Sequence, residues 1–121
     1  MVVVVVIIGA IASFAIPSYS RHIEKIRSSE GVQSLTSLLA AQKRYQFENG
    51  AYATLIAQLD ISIAASNNFN VPTVSNAAAA VASITRSDAN IPYQLSISDA
   101  GVVSCACAAC SPAAICTQLG Y

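Results

Sequence analysis

The sequence predicts an α+β fold, a long N-terminal α-helix packed against a small antiparallel β-sheet. Three observations predict it. Met1 to Ser20 is apolar and carries no charge. The chain then continues, without a turn signal, into an amphipathic pattern that stops at Asn49-Gly50. The remainder is rich in strand and turn signals and holds four cysteines in its last seventeen residues. The chain accordingly divides into an apolar half-helix, residues 1–20, and a soluble domain, residues 21–121. That domain takes in the amphipathic half of the same helix and a C-terminal disulfide region.

A length of 121 residues leaves room for one small domain. Apolar residues make up 55% of the chain and charged residues 10%, against roughly a quarter charged in ordinary globular domains. Six Lys and Arg balance six Asp and Glu. There is thus no basic patch to point to nucleic acid and no acidic tail to point to a charged partner.

The opening run lacks the positive start and the small-residue cleavage site of a secretory signal peptide. Val2 to Ile8 are all β-branched, which lowers helix propensity in water. In lipid that penalty is overridden, because an unpaired backbone group costs several kcal/mol there. Met1 to Tyr19 rises roughly 28 Å as a helix, close to the hydrocarbon thickness of about 30 Å. A membrane helix is expected, kinked at Pro17, whose ring removes one helical hydrogen bond and crowds the preceding turn.

Beyond it, Ile23, Ile26, Val32, Leu35 and Leu39, with Leu38, Gln42 and Tyr45, recur at three- and four-residue spacings. Arg21, Glu24, Lys25, Arg27 and Glu30 are assigned to other faces, with Glu24 and Arg27 spaced to pair. Asn49-Gly50 is a C-terminal stop. The result is a single helix on the order of 70 Å long, apolar all round in its first half and amphipathic in its second.

The stretches VVVVIIGAIASFAIPSYSRHIEKIRSSEG and RYQFENGAYA resemble the N-terminal helix, and the segment closing it, of type IV pilins and related pseudopilins. The resemblance is specific over Met1 to Ala53 and loose beyond. It implies the pilin fold and a membrane-stored subunit that polymerises with copies of itself into a helical extracellular filament. It further implies a pilus assembly machinery and a prepilin peptidase as partners. In the family a processed Phe and a glutamate precede the valine run. Alignment on Gly9 and Pro17 places those residues before Met1, so the glutamate's role falls on no residue here. Only the helix, with Gly9 and Pro17, is carried over.

Such a helix suits polymerisation, since neighbouring helices replace lipid and extraction need not expose the apolar surface to water. Gly9 and Pro17 lower the local cost of unwinding, which marks the stretch between them as one that extends during assembly. The plainer reading of the same residues is an ordinary single-span anchor.

After Gly50, AYATLIAQLDIS is expected to be a linker whose Ile and Leu residues pack on the helix. Strands are predicted near 69–74, 78–85, 93–98 and 102–105, with the Ala77–Ala80 run equally compatible with helix. Turns are expected at Ser98–Gly101 and Ser87–Pro92, and an exposed loop over Ser66–Asn76. One sheet face should cover the amphipathic half of the helix.

Cys105, Cys107, Cys110 and Cys116 have no histidine beside them and lack paired C-x2-C knuckles, which argues against zinc. The absent histidine also argues against a c-type haem. Two intramolecular disulfides suit an exported small domain. The favoured pairing is Cys105–Cys116 with Cys107–Cys110, and Cys105–Cys110 with Cys107–Cys116 stays open.

No phosphate loop, nucleophile motif or metal motif occurs, and His22, Asp60, Asp88 and Asp99 have no partner cluster. The expectation is a non-enzyme without cofactor, metal or small-molecule substrate. Phe14, Tyr19, Tyr45, Phe47 and Tyr52 are assigned to packing and interface anchoring rather than conduction. The favoured function is a structural subunit of type IV pilus filaments (fimbriae) serving adhesion, twitching motility or DNA uptake. Such a subunit resides in the bacterial inner membrane and then in the extracellular pilus on the cell surface. The rivals are a type II secretion pseudopilin and a monomeric membrane-anchored periplasmic binding domain.

Overall fold

A computed structural model of the chain describes residues 1–107 and 115–121, the side chains of residues 16–18 excepted. One helix, α1, runs over Val2–Asn49. It stops where Asn49-Gly50 predicts. Gly50 adopts φ 78°, the left-handed conformation that glycine enters at least cost, and its N–H donates to the Gln46 carbonyl at 2.7 Å. A 3-10 turn at Ile56–Gln58 follows, then β1 (Thr73–Val74), β2 (Ala82–Thr85), β3 (Gln94–Ile97), β4 (Val103–Ala106) and α2 (Ile115–Leu119). The four strands form an antiparallel meander in chain order. This is the α+β fold expected from the sequence.

Turn chemistry sets the meander's connections. Ser98–Gly101 forms the β3–β4 turn, with Gly101 at φ 80° donating its N–H to the Ser98 carbonyl. Between β2 and β3, the Asp88 carboxylate accepts the Asn90 backbone N–H at 2.9 Å and starts the turn. The Ala77–Ala80 run, ambiguous in sequence, is a turn closed by the Ala80 N–H on the Ala77 carbonyl. It joins β1 to β2, so the second strand is shorter than the pattern suggests. The expected loop at Ser66–Asn76 is corrected too. Phe69 and Pro72 are buried there, Phe69 bridges to Arg86, and Thr73–Val74 is the outer strand β1.

One face of the sheet, with Ala82, Ile84, Leu95 and Ile97 buried, lies on α1. The helix answers with a stripe at three- and four-residue steps: Glu24, Ser28, Gly31, Leu35, Leu38, Gln42 and half-buried Tyr45. Two sequence expectations change here. Glu24 belongs to the buried stripe rather than to a solvated face, and Ile26 is exposed. The small residues explain the close approach. A Cβ on Gly31 would lie 2.9 Å from Phe69 Cζ and 3.2 Å from Leu95 Cδ1. Higher up, the fully buried Gln42 donates its amide to the carbonyls of Ala53 and Val81 and accepts the Ala53 N–H at 2.8 Å. One side chain thereby satisfies backbone groups of both the linker and the sheet margin.

The opposite face of the sheet is uncharged. Thr73, Ser83, Ser96 and Ser104 stand in register across all four strands. The outer two pairs are hydrogen-bonded through their hydroxyls at 2.8 Å.

Gly31→Val is expected to destabilise the head by about 1–3 kcal/mol through overpacking. Gly9→Ala, where an added Cβ meets nothing within 4 Å, should not lower stability. Thermal melts of the detergent-solubilised chain followed by near-UV dichroism check both, and an unchanged Gly31→Val melt contradicts this packing.

Candidate functional site

From Val2 to Ala15 every residue of α1 is exposed, in a helix that is long and apolar enough to cross a membrane. Among the described residues no part of the head covers this stretch. The helix runs without a break through Gly9 and Pro17, and the Ser13 hydroxyl donates back to the Gly9 carbonyl at 2.9 Å. The chain therefore carries a surface that another apolar medium must cover, whether lipid or other helices.

Where that rod enters the head, charge is buried. The Glu24 carboxylate accepts from Arg86 Nε at 2.9 Å, from the Tyr93 hydroxyl at 3.0 Å and from Arg27 at 3.4 Å. The Glu24 and Arg86 side chains are 6% and 3% exposed. Arg86 also donates to the Asn68 carbonyl and lies over the Phe69 ring, 5.7 Å from its centroid. That ring meets Tyr93 edge-on, with centroids 6.2 Å apart. Asn68 in turn donates its amide to Glu30 at 2.8 Å, which holds the Glu30 carboxyl below the usual carboxylate range. The expected Glu24–Arg27 pair is present, but as the outer part of this larger cluster.

Nothing in the chain's local pattern marks Arg86, Asn68, Phe69 or Tyr93 as partners of Glu24. The available signal is arithmetic: Arg86 is the only Lys or Arg beyond residue 50, and a lone cation in an apolar domain needs a carboxylate. At the far end of the head, Tyr52 donates to Asp99, which faces Lys43 at 3.9 Å, and Arg44 pairs with Glu48 and Asp60. These aspartates close turns onto the helix.

The cysteines lie apart from Gly9 and Pro17. Cys105 on β4 is bonded to Cys116 on α2, with Cα atoms 5.5 Å apart. The bond seats α2, whose Ile115 and Leu119 are buried. Cys107 continues the inward alternation of β4, its Sγ 2.9 Å from the Pro92 carbonyl oxygen. Cys110 lies outside the described residues, so the expected Cys107–Cys110 bond is not visible in them. Among the described residues no three of His, Cys, Asp and Glu converge on a metal position. A hollow beside Arg44 and Asp60 has a volume of 60 Å³, far below the roughly 300–1,000 Å³ of small-molecule sites. A larger groove, between Gln33, Ser37, Ile61 and Ile63, is open to solvent.

Arg86→Ala leaves the buried Glu24 charge without its main partner and is expected to cost about 3–5 kcal/mol. Replacing both Glu24 and Arg86 by Met should cost less than the single change. Urea unfolding of the three proteins decides this.

Burial first, then the Glu24 charge and its hydrogen bond, push the Tyr93 phenol well above its ordinary value of 10.0. A phenol raised on folding contributes stability that is full below its unfolded pKa and lost as pH rises through the folded one. The head should therefore weaken from about pH 10 upward. Tyr93→Phe should reduce that alkaline limb without abolishing it, since the Asp99 hydrogen bond raises Tyr52 as well. Melting temperatures between pH 8 and 12 provide the check, and identical alkaline limbs would contradict the placement of Tyr93.

No curated protein and no solved structure matches the chain. The family described as "Type IV minor pilin ComP, DNA uptake sequence receptor" matches residues 17–106. The matched span holds the amphipathic half of α1, the Glu24 cluster and all four strands. The chain belongs to this type IV minor pilin family.

Proposed function

We propose that this chain is a filament-building subunit of a type IV pilus, and that the pilus it joins serves DNA uptake. One observation carries the filament role: an uncharged apolar half-helix extends from a folded head with residues 1–15 bare. The uptake role rests on the family's description. Residues 1–20 anchor the subunit in the inner membrane and then enter the filament core among other copies. Residues 21–121 form the domain displayed outside. The stretch between Gly9 and Pro17 loses helical hydrogen bonds on assembly, and Cys107–Cys110 completes the disulfide pair. An assembly machinery and a prepilin peptidase are the partners that membership in this family implies. The role is structural rather than catalytic.

A second reading, direct DNA reception by this head, is favoured by the family's description and opposed by charge. Duplex binding draws most of its affinity from Lys and Arg on phosphates. Of the six cations in residues 21–121, Arg27 and Arg86 are held on Glu24, Lys43 faces Asp99 and Arg44 lies on Glu48 and Asp60, which leaves only Arg21 and Lys25, at the foot of the head, outside these pairs. The outward sheet face offers hydroxyls and the Gln94 amide, and no charge. Filament building is the better supported role for this chain, and contact with DNA is better placed on another component.

Val5→Asp is expected to abolish filaments, because a carboxylate in the apolar run is costly in a bilayer and finds no partner among packed apolar helices. Electron micrographs of sheared surface material from wild-type and variant cells test this, with transformation frequency read in parallel. Normal filaments from the variant would overturn the core-helix role. Filaments without any loss of transformation on deleting the gene would overturn the uptake role. Tight, salt-sensitive binding of duplex DNA by the purified chain would favour the second reading.

A further inference from the structure

The chain has six cations, Arg21, Lys25, Arg27, Lys43, Arg44 and Arg86, and the structure spends them unevenly. Arg27 and Arg86 are held on Glu24, Lys43 faces Asp99, and Arg44 lies on Glu48 and Asp60. Among the described residues neither Arg21 nor Lys25 takes part in an ion pair, and both are exposed. They are four residues apart, so they lie on one side of α1 about 6 Å apart along its axis. Arg21 directly follows the apolar run, and Tyr19, 68% exposed, sits just below. Glu24, the nearest carboxylate in sequence, is buried against the sheet and already accepts three donors.

We infer that Arg21 and Lys25 form a docking site for the phosphate groups of anionic phospholipids while the chain is held in the membrane. The inference rests on the membrane-stored state proposed above. Its own argument is position and charge. With residues 1–20 in hydrocarbon, the two free cations fall in the headgroup layer, and long side chains place their charged ends there while their stems stay on apolar surface. Tyr19 stands at the depth where aromatic side chains gather at membrane interfaces. Lys43 and Arg44, roughly 27 Å farther up α1 than Lys25, are set against carboxylates of the head and of α1 itself. The site is continuous with the apolar span and complementary in charge to an anionic surface. It gives the stored subunit a preference for anionic lipid that leaving the membrane must break.

The test uses the full chain reconstituted in phosphatidylcholine bilayers containing a trace of spin-labelled phosphatidylglycerol or spin-labelled phosphatidylcholine. The motionally restricted fraction reports which lipid contacts the protein. At about 1 kcal/mol per cation near the surface, each cation should favour the anionic label about fivefold, and the wild-type chain should prefer it about tenfold or more. R21Q/K25Q should fall below about twofold, while K43Q/R44Q keeps the wild-type preference. The preference should shrink as ionic strength rises from about 0.01 to 1 M and the screening length contracts. Equal association of the two labels with the wild-type chain overturns the inference, as does an R21Q/K25Q chain that keeps its preference. Filament formation is read separately, so failure of the lipid preference leaves the pilus role standing. A chain that does not insert into bilayers at all overturns the membrane-stored state itself.

Discussion

The carboxylate of Glu24 ties the head to the helix at the point where α1 leaves its apolar half. A charge so deeply buried is tolerable only with several good donors, and Arg86, Tyr93 and Arg27 supply them. Much of the lower head is arranged to deliver those donors. Arg86 follows β2 and Tyr93 precedes β3, so the two flank the β2–β3 turn. Asn68 and Phe69 then fill the remaining space around the guanidinium. The net contribution of such a cluster to stability is modest. Its larger effect is to exclude other angles and registers of sheet on helix, since a shift of one turn strands a charge in apolar surroundings.

That fixed angle matters because α1 serves two media. Its second half is an ordinary amphipathic helix, with the stripe from Ser28 to Tyr45 buried by the sheet and the linker. Its first half makes no use of the head and has no polar face at all. The change occurs within about one turn, between Tyr19 and Glu24. A rigid joint there means that whatever covers the apolar half also fixes where the head stands. In a bilayer the lipid surface sets that position, and in a polymer the neighbouring helices set it.

Much of this was legible in the sequence. The apolar run, the helix stop at Asn49-Gly50, the Ser98–Gly101 turn and the alternation of Tyr93, Leu95 and Ile97 are local signals, and local physics decides them. The misassigned parts depend on partners distant in the chain. Glu24 looked like a surface charge because periodicity counts apolar residues, and Glu24, Ser28 and Gly31 occupy the buried stripe without being apolar. Ile26 looked buried for the same reason, although its side of the helix faces away from the sheet. The pattern extends the early strands too far because Ala77–Ala80 carries no turn residue, and its turn is closed by backbone alone. Of the cysteines, alternation along β4 placed Cys105 and Cys107 on one face. The sequence favours Cys116 as the partner of Cys105 without excluding Cys110, and the packing of α2 against the strand makes the Cys105–Cys116 bond.

The outermost strand, β1, is two residues long and follows directly on the buried Pro72. A proline has no N–H to offer, and two residues present almost no ladder for another chain to extend. Subunits concentrated side by side bring their heads to very high local density, conditions under which a long, flat edge recruits its neighbour and grows disordered cross-strand aggregates. A sheet that ends so abruptly cannot propagate in that direction. Ordered growth is left to the helices.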